Sequence, residues 1–171
     1  FSTIKGVRED IVTIILNLKG VRLVLEGDEP QTLKLVKKTA GPVKVSDFTN
    51  AARVRFVDGD YVIATIERGG ALNLEVTVEQ GRGYVPTEAR TQEKLPIGVI
   101  AIDSIFSPMR KVHYEVENTR VEGMTNFDRL TLDIETDKTI SPLEALKTAL
   151  VILTEHLQHI HGQVTLLEVS E

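Results

Sequence analysis

Four groups of side chains in this chain have the types and spacing that chemistry requires. Asp58-Gly59-Asp60 sets two carboxylates one residue apart, as in sites that bind Mg²⁺ for phosphoryl transfer. Asp-Gly between two β-rich runs is also the strongest short hairpin signal, so the same tripeptide reads as a tight turn. Asp133, Glu135 and Asp137 alternate and share one strand face, where they could converge on a cation or simply face water. His156, His159 and His161 crowd the end of a helical pattern. Zinc needs ligands that converge on one point, and spacings of three and five bring these imidazoles only partly onto one face. A helix C-terminus favours histidine in any case, through the dipole. Gly81-Arg82-Gly83-Tyr84 offers backbone N–H groups to an anion, but no helical pattern follows it, so it reads as a glycine-assisted bend. No Ser/His/Asp arrangement is suggested by spacing. The residues thus lead to an expectation of no catalytic site, no metal and no cofactor.

Composition narrows the classes further. The chain has 171 residues, 42% of them hydrophobic, enough for one substantial domain or two small ones. It has no cysteine, which rules out disulfides and thiolate chemistry within it. A net charge of −5 argues against a general grip on nucleic acid. The densest basic cluster, Lys34, Lys37 and Lys38, reads as the solvent face of a strand. No apolar run approaches the roughly 20 residues that span a bilayer. The first residues, Phe-Ser-Thr-Ile-Lys, carry neither an initiator Met nor a signal-peptide pattern, so the chain is expected to be an excerpt of something longer.

These residues must be positioned by elements that hydropathy outlines. Residues 6–19 read as a helix with Ile11, Ile14, Ile15 and Leu18 on its apolar face and Glu9 and Asp10 in its first turn. The period then changes from 3.6 to 2, with strands expected at 21–25, 33–36, 54–57, 61–66 and 72–78. Turns at Glu26-Gly27-Asp28, Asp58-Gly59-Asp60 and Arg68-Gly69-Gly70 predict hairpins between them. Residues 87–95 read as a loop and 97–105 as a further apolar stretch. After a Ser107-Pro108 break come two long alternating strands, with Val112, Tyr114 and Val116 in one and Leu130, Leu132 and Ile134 in the other.

The last helix, expected at 141–161, is the most informative. Leu143, Leu146, Leu150, Leu153, Leu157 and Ile160 recur at spacings of three and four, the repeat of a helix–helix seam. Ser141 and Glu144 predict a capping box around Pro142, and Gly162 reads as the residue that ends the helix. Burying six such side chains contributes roughly 9–18 kcal/mol gross. Either another chain completes this seam or it covers the chain's own sheet. The fold class expected is α+β, mostly antiparallel, with a boundary near Ser107-Pro108.

Several blocks, in order, resemble the N-terminal domain of the bacterial RNA polymerase α subunit: Gly6-Val7-Arg8-Glu9-Asp10-Ile11 running on to Leu16-Asn17-Leu18-Lys19; Gly81-Arg82-Gly83-Tyr84-Val85-Pro86; Ile102-Asp103-Ser104-Ile105-Phe106-Ser107-Pro108; Val116-Glu117-Asn118-Thr119-Arg120-Val121; Thr125-Asn126-Phe127-Asp128-Arg129-Leu130; and Ser141-Pro142-Leu143-Glu144-Ala145-Leu146. Asn126 and Phe127 stand where that family more often has Asp-Leu. The family's preceding Leu-Gly-Asn-Ala-Leu-Arg-Arg-like helix and its C-terminal DNA-binding domain are not in this sequence.

The resemblance implies a cytoplasmic, non-catalytic assembly scaffold that dimerises with a second α subunit and recruits the β and β′ subunits, with no cofactor, no direct contact to nucleic acid and no membrane. It implies a β-rich insert subdomain with an N-terminal helix at 1–107, part of an α/β dimerisation subdomain with a long C-terminal helix at 108–161, and a tail or linker from 162 to 171. It puts the dimer interface on the six seam residues, and β or β′ contacts at Lys19, Ile102, Met109 and Arg129. Two rival readings of the residues are a free-standing α+β adaptor that uses the same helix, and a metal-dependent phosphoryl-transfer domain that uses Asp58 and Asp60.

Overall fold

A computed structural model describes residues 3–91, 96, 98–121 and 124–168. The chain is α+β and divides into two compact units, Phe1–Ser107 and Pro108–Glu171.

In the first unit the opening helix begins later than its apolar pattern suggests. Asp10 caps it, its Oδ1 accepting from Thr13 N at 2.7 Å, and α1 runs Ile11–Gly20. Residues 6–10 are instead tied to a strand: Arg8 N donates to Thr65 O at 3.0 Å, Glu67 N to Gly6 O at 2.9 Å, and the Glu9 carboxylate accepts from Thr65 N at 2.6 Å. Gly6 has φ of 79° and lies so close to Gly70 that a Cβ on it would fall 2.4 Å from the Gly70 Cα.

The strands are β1 (Leu23–Leu25), β2 (Gln31–Lys37), β3 (Gly41–Lys44), β4 (Val54–Phe56), β5 (Val62–Ile66), β6 (Leu72–Val78), β7 (Tyr84–Val85) and β8 (Ser104–Ile105). The expected hairpins do not form. β1 pairs with β4, β2 with β6 and β3 with β5, all antiparallel, so each of the three glycine turns joins strands from different pairs. Turn chemistry reverses the chain but does not choose its partner; side-chain matching does. Leu33 faces Val76, Leu35 faces Leu74, and Lys34 faces Glu75, to which it ion-pairs at 2.8 Å. After Asp58-Gly59-Asp60 the chain docks on the 3₁₀ turn Val45–Asp47, with Val45 N donating to Tyr61 O at 3.0 Å.

β3 and this 3₁₀ turn have no clear periodicity, because Gly41-Pro42 breaks it. Thr87–Thr91 forms a short helix, α2, where a loop was expected; Pro86 presets its start and Ala89 N closes the turn on Pro86 O at 3.2 Å. Residues 92–95 and 97 of the expected loop and apolar stretch lie outside the described residues. The rest of that stretch is strand only at β8, because Gly98 (φ 92°) and the turn from Pro96 to Val99 interrupt it.

The core is built mainly from strand residues, with Ile14 from α1, Val45 from the 3₁₀ turn, and Val7 and Phe48 from the segments between elements. Val7, Ile14, Leu25, Leu33, Leu35, Val43, Val45, Phe48, Ile63, Ala64, Ile66, Leu72 and Val78 are buried, and Phe48 stacks on Phe56 with ring centroids 6.3 Å apart. Asn17 donates to Ile63 O at 2.9 Å, which ties α1 to β5.

The second unit is a hairpin and a helix. β9 (Met109–Val121) and β10 (Met124–Thr136) pair antiparallel, and α3 spans Pro142–Glu168. The capping box forms: Glu144 N donates to Ser141 Oγ and Ser141 N to Glu144 Oε2, each at 3.3 Å. The helix does not stop at Gly162. A glycine costs only about 1 kcal/mol inside a helix, and Gln163, Leu166, Leu167 and Glu168 after it are good helix formers. Residues 169–171 of the expected tail lie outside the described residues.

Candidate assembly surfaces

Three surfaces gather the residues singled out from sequence. The first is the α3 seam. Spacings of three and four put Leu143, Leu146, Leu150, Leu153, Leu157 and Ile160 on one stripe. Leu146 is half-buried; the other five are between 53% and 62% exposed. Five large apolar side chains left this open on one helix form a surface made for burial.

The second surface is the β9–β10 hairpin. Its register sets Val112 opposite Ile134, Tyr114 opposite Leu132 and Val116 opposite Leu130, which puts all six on one face. Ile134 is half-buried and the others are exposed. The opposite face is ordered by charge: Lys111 faces Glu135, His113 faces Asp133, and Glu117 faces Arg129. Sequence reading found both alternations but not that they are in phase, a fact that only the pairing register supplies. Arg129 is exposed here, while Met109 is half-buried at the first position of β9, opposite Thr136. Seven residues of β10 separate the two positions, about 23 Å at roughly 3.3 Å per residue, so the hairpin does not bring them together.

The third surface lies at the end of α1. Lys19, in its last turn, donates to both oxygens of Asp103, at 2.7 and 2.9 Å. Tyr84 OH donates to the same carboxylate at 3.5 Å. The Lys19 hydrogen bond, foremost, holds the Asp103 carboxyl below its ordinary range despite some desolvation. Ile102 is half-buried beside it, and Leu16, Tyr84 and Ile105 are exposed. That Asp103 and Tyr84 join Lys19 is not legible in the sequence, since 84 and 65 residues separate them from it and no spacing rule spans such a gap.

The chemical candidates are placed differently. Asp60 ion-pairs with Lys44 at 2.6 Å, and that hydrogen bond lowers its carboxyl below the usual range; Asp58 Oδ1 accepts from Asp60 N at 3.0 Å within the turn. Of the basic cluster, Lys37 reaches Asp47 at 2.6 Å. Asp137 Oδ1 accepts from Thr139 N at 3.0 Å, and His156 Nδ1 lies 2.7 Å from Ile152 O. Among the described residues, no three His, Asp or Glu side chains are grouped to hold a metal, and no helix is long and apolar enough to cross a membrane.

Against known proteins, residues 1–107 match the family described as the RNA polymerase Rpb3/RpoA insert domain. Similar curated proteins carry the name DNA-directed RNA polymerase subunit alpha. One from Moorella thermoacetica is 44% identical over 100% of this chain and 57% of its own length. Those from Symbiobacterium thermophilum and Carboxydothermus hydrogenoformans are each 48% identical over 92% of this chain and 50% of their own length. The chain spans about half the length of the curated relatives it matches.

Proposed function

This chain belongs to the RNA polymerase Rpb3/RpoA insert-domain family, and from that premise we propose that it is a non-catalytic assembly scaffold of a bacterial RNA polymerase. It dimerises with a second α subunit through Leu143, Leu146, Leu150, Leu153, Leu157 and Ile160. It recruits the β and β′ subunits through segments that include Lys19, Ile102, Met109 and Arg129, in the cytoplasm.

The observation that carries this reading is the openness of the α3 seam in the lone chain. From Leu143 to Ile160 the stripe runs about 26 Å at roughly 1.5 Å per residue, long enough for a helix-to-helix contact of several turns. The mechanism is association: apolar helix faces supply affinity, and strand and loop charges choose register and partner.

The test is to express the tagged chain in a bacterium and identify what co-purifies by mass spectrometry. The expected partners are endogenous α, β and β′. A folded chain that recovers none of them, or that holds mainly an unrelated protein, would overturn the scaffold reading in favour of a free-standing adaptor.

A further inference from the structure

The Lys19–Asp103 pair does work that the core does not need. Among the described residues, every buried core residue lies from Val7 to Val78, and none belongs to this cluster. The Asp103 carboxylate nevertheless gathers three separate stretches of chain: the end of α1 through both Lys19 bonds, the β7 strand through Tyr84 OH, and its own segment leading into β8. The same segment is held by backbone as well. Phe106 N donates to Gly83 O at 2.8 Å, and the Phe106 ring lies over Gly81 so closely that a Cβ there would fall 2.5 Å from it. The side chains at 19 and 103 are 33% and 25% exposed, and Leu16, Tyr84 and Ile105 carry the open apolar surface of the same elements.

We propose that Asp103 is a positioning residue: by gripping the Lys19 ammonium with both oxygens and receiving the Tyr84 hydroxyl, it fixes residues 102–106 against the end of α1 and so sets the geometry of the face offered to the large polymerase subunits. This rests on the reading of Lys19 and Ile102 as partner-facing. A bidentate grip on a compact ammonium limits where the Lys19 stem can lie, and an acceptor without charge loses most of that restraint.

The test compares co-purification of β and β′ with the tagged chain and its variants, alongside the rate at which an amine-acylating reagent modifies Lys19. Asp103→Asn is expected to recover about two- to fivefold less β and β′ and to speed Lys19 labelling. Asp103→Glu is expected to restore most of both. Asp60→Asn, which breaks a similarly short ion pair to Lys44, is expected to leave both unchanged. Faster Lys19 labelling in Asp103→Asn with undiminished recovery overturns the inference alone. Equal loss of recovery and thermal stability in the Asn and Glu variants overturns it too, by making the role purely structural. A parent chain that recovers neither subunit overturns the scaffold reading and this inference together.

Discussion

The two units of this chain solve the burial problem in opposite ways. In the first, thirteen of the described hydrophobic residues are buried among three strand pairs and one helix, and four of its lysines are ion-paired in place, Lys34 with Glu75, Lys37 with Asp47, Lys44 with Asp60 and Lys19 with Asp103. In the second, no described residue is among the buried hydrophobics, and two apolar faces stand open. Composition barely separates the units, since both alternate apolar and polar residues regularly. What differs is whether the sheet has another layer to cover it. A period predicts that a face wants burial; the presence of a covering layer decides whether the chain or a partner provides it.

Truncation on either side breaks this contrast most sharply. Leu35→Ala removes a side chain with 0% exposure and is expected to destabilise the first unit by about 2–5 kcal/mol in urea unfolding. A loss under 1 kcal/mol would mean that this core is loosely packed. Gly70→Ala would put a Cβ 2.0 Å from Gly6 O and is expected to cost about 1–3 kcal/mol, read as a lowered melting temperature. Asp10→Ala removes the α1 cap, for about 1 kcal/mol in the same assay.

Leu150→Ala is expected to behave in the reverse manner. At 53% exposure it should shift monomer stability by under about 0.5 kcal/mol while weakening self-association in sedimentation runs. Lost stability without lost association would place the seam inside the monomer and erase the contrast. The smallest effect is acid lability. Hydrogen bonds hold the carboxyls of Asp10, Asp60 and Asp103 below their ordinary value of 3.8. Their contribution is complete above that value and is lost as pH falls through the lower folded values. Thermal midpoints of the first unit should therefore stay level from neutral pH to about pH 5 and decline below about pH 4.

Much of this was legible in the residues. The long helix that carries the leucine stripe, the capping box at Ser141 and Glu144, and the alternation in β2, β6, β9 and β10 follow from local spacing, and the structure carries them. Strand partners were not legible, because Gly27, Gly59 and Gly69 mark reversals without saying what the next strand meets. The helix end at Gly162 was misread because a lone glycine has the same appearance as a cap and as an interior position. The Lys19–Asp103–Tyr84 cluster was invisible for want of any periodicity between distant segments. Local physics is written in local sequence; long-range pairing is not.

The placement of the core also sets a timetable. Among the described residues, its last member is Val78, and the last residue of the α3 stripe is Ile160. At roughly 5–20 residues per second, a ribosome adds the intervening 82 residues in about 4–16 s. The first unit is thus expected to gain protease resistance on nascent chains stalled before α3 has been made, and sensitivity throughout would refute that order. The open α3 stripe is thus made after the core of the first unit. Before a partner arrives, chaperones and proteases meet two open apolar faces on a chain whose first unit has its core in place, rather than a wholly unfolded polypeptide.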